Sequence, residues 1–188
     1  MTAPYDLDYV DKVYKHVKAY KIGSGDVNWR EIIEKISQKN KPVIIATGAS
    51  NLSEVKNTIK LILKKNKKVI LMQCNTNYTY EEKNFKYINL NVLKTYKKEF
   101  KDKVILGLSD HTQGHSTVLG AVALGARVVE KHFTDDNDRT GPDHKFSMNQ
   151  TSWKLMVDET RRLEKSLGDG VKKIEKNEIF TTYIQRRS

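Results

Sequence analysis

The sequence has a single cysteine and no long apolar run, and each absence narrows the class of protein. Cys74 has no second cysteine with which to form an internal disulfide, which is typical of a reducing cytosol. The longest apolar stretch, around Val118–Ala123, is far shorter than the roughly 18–20 residues of a membrane span. The N-terminus lacks a basic region followed by an apolar one, so we expect no secretory signal. These features predict a cytoplasmic protein that does not partner a membrane.

The charge of the chain is unbalanced, with 34 lysines and arginines against 23 aspartates and glutamates and a formal net charge of +11. The basic residues are spread along the chain, for example at positions 64–68, 97–98 and 172–173. Nucleic-acid binding proteins usually concentrate such residues on one face, with aromatic residues between them. We therefore favour a solvated, lysine-rich surface over nucleic-acid binding, with attraction of small anionic substrates as a further alternative.

Short apolar runs rich in β-branched residues recur along the sequence and predict strands. They lie at 19–22, 42–46, 69–73, 104–108 and 127–130. Their hydrophobicity is nearly continuous rather than alternating, which is typical of strands buried on both faces of a parallel sheet. Most of the runs are followed by a helical pattern, as expected for successive βα units joined by right-handed crossovers.

Helix starts are predicted where an asparagine is followed three residues later by a glutamate. Asn28 and Asn51 both have this spacing, in which the two side chains satisfy free backbone N–H groups. A longer helix is predicted over 151–167, where apolar residues recur at helical spacing and Gly168 ends the pattern.

Two architectures fit this α/β pattern: an open doubly wound sheet and part of a (β/α)8 barrel. An open sheet gathers its ligands at one switch point, whereas a barrel builds its site from the C-terminal ends of several strands. Polar residues follow every predicted strand of this chain. We therefore predict a partial (β/α)8 TIM barrel of about five parallel βα units, because a closed wall requires eight strands.

Two histidines stand directly after consecutive predicted strands. His111 follows the fourth strand and His132 follows the fifth. Neighbouring strands lie about 4.8 Å apart, so side chains at equivalent ends can converge on one cation, and imidazole is a common ligand for Mn²⁺, Fe²⁺ or Zn²⁺. From spacing alone, ordinary hydrogen-bonded histidines remain the alternative.

Two glycine-containing segments are candidate binding loops. The segment KIGSGD at 21–26 places a lysine at a strand end and glycines ahead of a helix, where backbone N–H groups can approach an anion. The segment GPDH at 141–144 presents Asp143 to a polyol. Each segment, taken alone, is equally well explained as a simple turn.

Together the motifs resemble the barrel domain of the sialic acid synthase family, which includes legionaminate, pseudaminate and spore-coat polysaccharide synthases. They are KIGSG at 21–25, KPVIIATG at 41–48, GLSDHT at 107–112, ARVVEKHFT at 126–134 and GPD at 141–143. The likeness runs from Ala3 to Ser188, practically the whole chain. It implies a cytosolic transferase that condenses phosphoenolpyruvate with N-acetylmannosamine or a related amino sugar, releasing phosphate and a nine-carbon 2-keto sugar acid.

The resemblance implies a role for each matched residue. His111 and His132 match the ligands of a divalent metal, typically Mn²⁺, and Asp26 matches a glutamate that manages protons during catalysis. The positions that match substrate-binding residues are Lys21, Ser24, Thr76, Tyr78, Ser109 and Asp143. The first two and Ser109 correspond to phosphate and carboxylate contacts, and Tyr78 and Asp143 to amino-sugar contacts.

The chain also departs from the family pattern. Asp26 is one methylene shorter than the usual glutamate, Ala46 replaces a serine, Thr76 replaces serine or asparagine, and Thr79 replaces a proline. The first three βα units and a C-terminal antifreeze-like domain have no counterpart in residues 1–188. We therefore expect a homodimer in the full-length form and an inactive isolated chain. The alternative is a non-catalytic basic barrel remnant that binds a partner or nucleic acid.

Overall fold

The structure, a computed structural model, describes residues 1–78 and 80–187. The departure at Thr79 and the terminal Ser188 therefore lie outside the described residues. The strands of the described chain are β1 (Tyr20–Ile22), β2 (Val43–Ala46), β3 (Val69–Cys74), β4 (Ile105–Asp110) and β5 (Val128–Lys131). The helices are α1 (Leu7–Lys12), α2 (Arg30–Ser37), α3 (Leu52–Leu63), α4 (Val92–Phe100), α5 (Ser116–Ala123), α6 (Gln150–Ser166) and α7 (Ile179–Gln185).

The strands form one parallel sheet in the order β1-β2-β3-β4-β5, each beside its neighbour in sequence. The sheet is curled into a half-barrel, so the predicted partial (β/α)8 architecture is confirmed. Short segments outside these strands extend the pairing, with Thr2 against Tyr20 and Phe133 against Met148.

The two faces of the sheet pack against different layers. The outer face, represented by Ile45, Leu71 and Leu108, joins the main core with apolar residues of α2 to α5. The inner face carries a smaller cluster of Ile44, Ala46, Met72 and Cys74. Because side chains alternate along a strand, the residues that share this inner face also include those that line the barrel mouth.

The two asparagine pairs predicted as helix starts behave differently. Asn51 and Glu54 form the expected reciprocal cap at the start of α3. The prediction for Asn28 is wrong, because α2 begins at Arg30 behind Trp29, without a side-chain cap. The turn that starts at Ser24 continues through a backbone bond from Trp29 N to Asp26 O, at 3.0 Å, so Asn28 lies inside the turn.

The helix predicted over 151–167 is α6, which starts one residue earlier behind a cap formed by Asn149 and Ser152. Gly168 has a φ of +62°, a left-handed conformation that ends the helix as predicted. None of the helices in the described part of the chain is long and apolar enough to cross a membrane.

Candidate active site

The two predicted histidines converge at the C-terminal ends of β4 and β5. The ring centroids of His111 and His132 are 5.2 Å apart. An imidazole nitrogen lies about 2.0–2.1 Å from a bound ion, so rings sharing one ion have centres within about 6 Å of each other. The predicted convergence of the two imidazoles is therefore confirmed, while the binding of a metal remains a prediction.

The hydrogen bonding of His111 leaves one ring nitrogen free to act as a ligand. Its Nδ1 is 2.8 Å from the backbone O of Asn75. A carbonyl oxygen can only accept, so Nδ1 carries the proton and Nε2 keeps its lone pair. Burial lowers the pKa of His111, and repulsion by His132 lowers it further against the opposing bond to Asn75. The neutral ring is the form that binds metals.

The second histidine stands beside the loop residue Asp143. Nδ1 of His132 lies 3.5 Å from Oδ2 of Asp143. A carboxylate on one ring nitrogen orients the imidazole and leaves the other nitrogen for a ligand. Among residues 1–78 and 80–187, no group of three or more histidine, cysteine, aspartate or glutamate side chains could hold a metal ion. The two imidazoles would therefore supply only part of a coordination shell. A bound ion would keep positions for substrate and water.

Aromatic rings cover the histidine pair. The ring of Tyr78 lies 4.1 Å from that of His111 and 5.6 Å from that of His132, measured between centroids. The buried ring of Phe146 lies 5.1 Å from that of His132. Tyr78 is half exposed, and burial of the remainder raises its pKa, helped by Cys74 and Asp143. Its neutral hydroxyl is therefore presented at the mouth of the site.

A lysine and a glutamate face each other across the mouth of the half-barrel. Nζ of Lys21, on β1, is 2.5 Å from Oε1 of Glu130, on β5. Ser109 Oγ also donates to Oε1, at 3.4 Å. Oε2 of Glu130 is buried and has no hydrogen-bond partner among the described residues. A buried carboxylate oxygen without a donor is costly, so Glu130 retains the capacity to accept a further hydrogen bond.

The hydroxyl of Ser24 joins the same region from the loop after β1. Its Oγ accepts a 3.0 Å bond from Gly48 N, in the loop after β2. A Cβ on Gly48 would lie 2.5 Å from Thr76 Cγ2 and 3.0 Å from Ser24 Oγ, so the two side chains close tightly over this glycine. The side chains of Thr76 and Ser24 therefore both lie directly beside Gly48.

The single cysteine lies between the two serines. Burial raises the pKa of Cys74, while hydrogen bonds from Ser24 and Ser109 and the charge of Lys21 act in the opposite direction. The thiol is thus a neutral, buried neighbour of the hydroxyl groups, and it links the Ser24 loop with the end of β4.

Asp26 is the candidate that stands apart. It lies in the same turn as Ser24, and burial raises the pKa of its carboxyl group. No hydrogen bond or ion pair in the described part of the chain ties its side chain to the histidines. Asp26 therefore lies in the Ser24 turn, without such a contact among the described residues to join it to the histidine pair.

Glu130 was not predicted as a site residue from the sequence, although its spacing from His132 indicates that it lies on the same face of the strand. It precedes His132 by two residues on a predicted strand, and residues two apart share one face. The sequence also did not predict the ion pair of Asp110 and Lys131, which is buried beneath the histidines with Nζ 2.6 Å from Oδ2.

A curled parallel wall with its polar groups at the C-terminal strand ends defines the chain as part of a (β/α)8-barrel protein. The chain belongs to the NeuB family, whose sequence model matches residues 1–172. This confirms the family resemblance predicted from the motifs.

Curated relatives and solved structures agree with this assignment. The N,N'-diacetyllegionaminic acid synthase of Campylobacter jejuni is 38% identical over 192 residues, which cover 100% of this chain and 56% of the relative. The N-acetylneuraminic acid synthetase of Leptospira borgpetersenii, solved with citrate, superposes with a TM-score of 0.86 at 29% identity, covering 99% of this chain and 65% of that one. A truncated 3-deoxy-D-arabino-heptulosonate 7-phosphate synthase of Thermotoga maritima shares the fold, with a TM-score of 0.75 at 21% identity and coverage of 88% and 65%.

The chain spans about half the length of the curated relatives that it matches. Several of these relatives are named as sugar-acid synthases, including the pseudaminic acid synthase of Campylobacter jejuni and the N-acetylneuraminate-9-phosphate synthase of Homo sapiens.

Proposed function

We propose that the protein containing this chain condenses phosphoenolpyruvate with the open-chain form of N-acetylmannosamine or a related amino sugar. The products are a nine-carbon 2-keto sugar acid and phosphate. The observation that carries the proposal is the position of Lys21, Ser24 and Ser109 beside two imidazoles that converge with ring centres 5.2 Å apart. An anion-binding corner and a two-histidine site on one barrel mouth match the needs of the two substrates.

The anionic substrate would bind on the Lys21 side of the mouth. Lysine supplies a point charge, and the hydroxyls of Ser24 and Ser109 donate to phosphate or carboxylate oxygens. Lys21 is held by Glu130 in this structure, so an arriving anion competes with a carboxylate for the same ammonium group. The phosphate or carboxylate group of phosphoenolpyruvate would then replace the carboxylate of Glu130 on the ammonium group of Lys21.

The amino sugar would bind on the histidine side, between Tyr78 and Asp143. His111 and His132 would hold a divalent ion, which we assign as Mn²⁺ and which would supply Lewis-acid polarisation of the sugar aldehyde. The phenol of Tyr78 and the carboxylate of Asp143 hydrogen-bond hydroxyl groups of the sugar and orient its aldehyde carbon toward the anion corner. A bond then forms between C3 of phosphoenolpyruvate and that carbon. The π bond of the aldehyde breaks at the same time, and its oxygen takes up a proton, balanced by the proton that water gives up at C2, to become a hydroxyl group.

Completion of the reaction requires water to add at C2 and phosphate to leave. Asp26 lies in the same turn as Ser24, which is one of the proposed anion-binding residues. Burial raises the pKa of its carboxyl group, which makes the group a better proton acceptor than an exposed aspartate. We assign to Asp26 the transfer of the proton from water as the C2–oxygen bond forms.

The experiment supplies Mn²⁺, phosphoenolpyruvate and several N-acetylated amino sugars to a protein in which this chain is part of a closed barrel. Phosphate release and the mass of the keto acid identify reaction and acceptor together. His111→Ala and His132→Ala should abolish metal-dependent turnover. Unchanged turnover in both variants would refute the proposed metal role.

The isolated 188-residue chain should turn over far more slowly than such a closed barrel. Its sheet has five strands where closure requires eight, so part of the wall around the substrates is open. Loss of a donor to developing charge costs about 2.7–4 kcal/mol, or roughly 100- to 1000-fold in rate for each donor removed, so the loss of several would slow the reaction by many orders of magnitude. Comparable rates for the two proteins would show that the five βα units suffice.

A further inference from the structure

The pair of Asp110 and Lys131 occupies the strand positions immediately before the two histidines. The residues are register partners at the ends of β4 and β5. Their side chains are 0% and 1% exposed, with Nζ of the lysine 2.6 Å from Oδ2 of the aspartate. Removing two charges from water is costly, so this pair persists only because its geometry and its further hydrogen bonds compensate.

The carboxylate of Asp110 is saturated with donors. Oδ2 accepts from Thr117 Oγ1 at 2.7 Å, from Thr112 Oγ1 at 2.9 Å and from the lysine. Oδ1 accepts from Thr112 Oγ1 at 3.0 Å and from Thr112 N at 3.3 Å. Thr117 lies in the first turn of α5, so the carboxylate also fastens that helix to the end of β4.

The ammonium group of Lys131 contacts the chain on both sides of the first histidine. It bonds Asp110, the residue before His111, and donates at 2.6 Å to the backbone O of Thr112, the residue after it. Lys131 is itself the residue before His132. One buried ammonium therefore fixes the backbone around both imidazoles.

The pair does not line the mouth of the barrel. Leu106 and Leu108, which alternate in step with Asp110 along β4, belong to the core between the sheet and the helices. Ser109 and His111 therefore face inward while Asp110 faces the helix layer. The buried charges cannot reach a substrate, and their effect on the site must pass through the histidines.

We infer that Asp110 and Lys131 are positioning residues that aim His111 and His132 at one shared point. The inference rests on the proposed function, in which that point holds a divalent ion. Contacts that orient metal-binding histidines typically change affinity by about 10–100-fold when removed. We expect an effect of that size from this pair.

The test replaces both charges at once in the 188-residue chain. Removing one partner alone would leave a buried, uncompensated charge and unfold the chain. Asp110→Asn with Lys131→Met keeps an acceptor for the threonines and a side chain of similar length without either charge. Co²⁺ titration, followed by visible absorption, reports on the histidine site. Long-range ¹H–¹⁵N spectra report on the His111 ring and its Nδ1–H bond to Asn75.

We expect the double variant to bind Co²⁺ about 10–100-fold more weakly than the unaltered chain. Tyr20→Phe, which removes a buried hydrogen bond on β1, serves as a control that loses stability away from the histidines. Undiminished Co²⁺ affinity in a folded double variant would overturn the inference. Equal weakening in Tyr20→Phe would also overturn it, because the effect would then follow stability alone.

Thr117→Val keeps the inference testable if the double variant does not fold. It removes one neutral donor to Asp110 without changing side-chain shape, and we expect about tenfold weaker Co²⁺ binding. Unchanged binding in this variant would count against the inference. If the unaltered chain binds no Co²⁺, the proposed metal site fails. The inference is then judged by the His111 Nδ1–H signal, which should be lost in the variants and kept in Tyr20→Phe.

Discussion

The ammonium nitrogen of Lys21 and the Oε1 oxygen of Glu130 are 2.5 Å apart, although the two residues belong to strands at opposite edges of the sheet. Only a strongly curled sheet brings β1 and β5 so close. The contact therefore measures the curvature of the half-barrel and also marks the corner in which we place the anionic substrate.

Glu130→Gln should strengthen the binding of phosphate or phosphoenolpyruvate to the chain. The carboxylate repels an incoming anion and occupies Lys21, and the amide removes that charge with little change in shape. The pair is partly exposed, so we expect a gain of roughly 1 kcal/mol, or about fivefold in affinity. Isothermal titration with phosphoenolpyruvate measures it. Lys21→Met should lose binding, and weaker binding by Glu130→Gln would mean that Glu130 orders the lysine.

Gly48→Ala should disturb the anion corner, while Gly25→Ala should not. A Cβ at Gly48 would meet Thr76 Cγ2 at 2.5 Å and Ser24 Oγ at 3.0 Å, whereas nothing lies within 4 Å of one at Gly25. We expect Gly48→Ala to lower the free energy of unfolding by about 1–3 kcal/mol and to weaken anion binding. Urea unfolding and titration check both effects. Equal behaviour of the two variants would contradict the close packing over Gly48.

Lowering the pH should destabilise the chain through His111. Burial depresses its pKa in the folded state below the ordinary value of 6.5, so the unfolded chain binds the proton more readily. The stabilisation is therefore present above pH 6.5 and is lost as the pH falls from 6.5 toward the folded-state pKa. Urea unfolding at several pH values measures the slope. The slope should be smaller in His111→Gln, and an identical slope would assign the effect to another group.

Tyr20→Phe should lower the free energy of unfolding by about 1–2 kcal/mol. The hydroxyl of Tyr20 is buried and donates at 2.6 Å to the backbone O of Val10, which ties α1 to β1. The substitution leaves that carbonyl without its partner. Tyr9→Phe, at a half-exposed position of α1, is the matched control and should be nearly neutral. A loss of similar size in both variants would rule out the buried bond as the cause.

The strands could be predicted because burial on both faces leaves an almost unbroken apolar run, as in Val43–Ala46. The cap at Asn51 could be predicted for a local reason, since its partner Glu54 is three residues away. The prediction of a cap at Asn28 was wrong because the turn that begins at Ser24 continues past that residue. Residue composition and spacing do not show where such a turn ends.

The site was predicted unevenly for a related reason. His111 and His132 could be placed together because each directly follows a strand, and the C-terminal ends of neighbouring parallel strands lie side by side. The role of Glu130 depends on the curl of the sheet, which brings Lys21 to it from 109 residues away. No local pattern gives that curvature. The ion pair of Asp110 and Lys131 likewise could not be predicted, because it depends on the register between β4 and β5.

Side chains alternate between the two faces of the sheet along β4 and β5, so the order of residues at the ends of these strands cannot be shifted without misplacing the site. On each strand an inward-facing site residue, an outward-facing charge and an inward-facing histidine follow in succession, as in Ser109, Asp110 and His111. A single residue inserted into either strand would rotate everything beyond it by half a turn. An imidazole would then face the apolar layer between the sheet and the helices, and an unpaired charged side chain would point into the barrel. A change of length in the few residues that lead up to the histidines would therefore misplace both imidazoles, whereas a change in an exposed loop away from the site would leave this alternation intact.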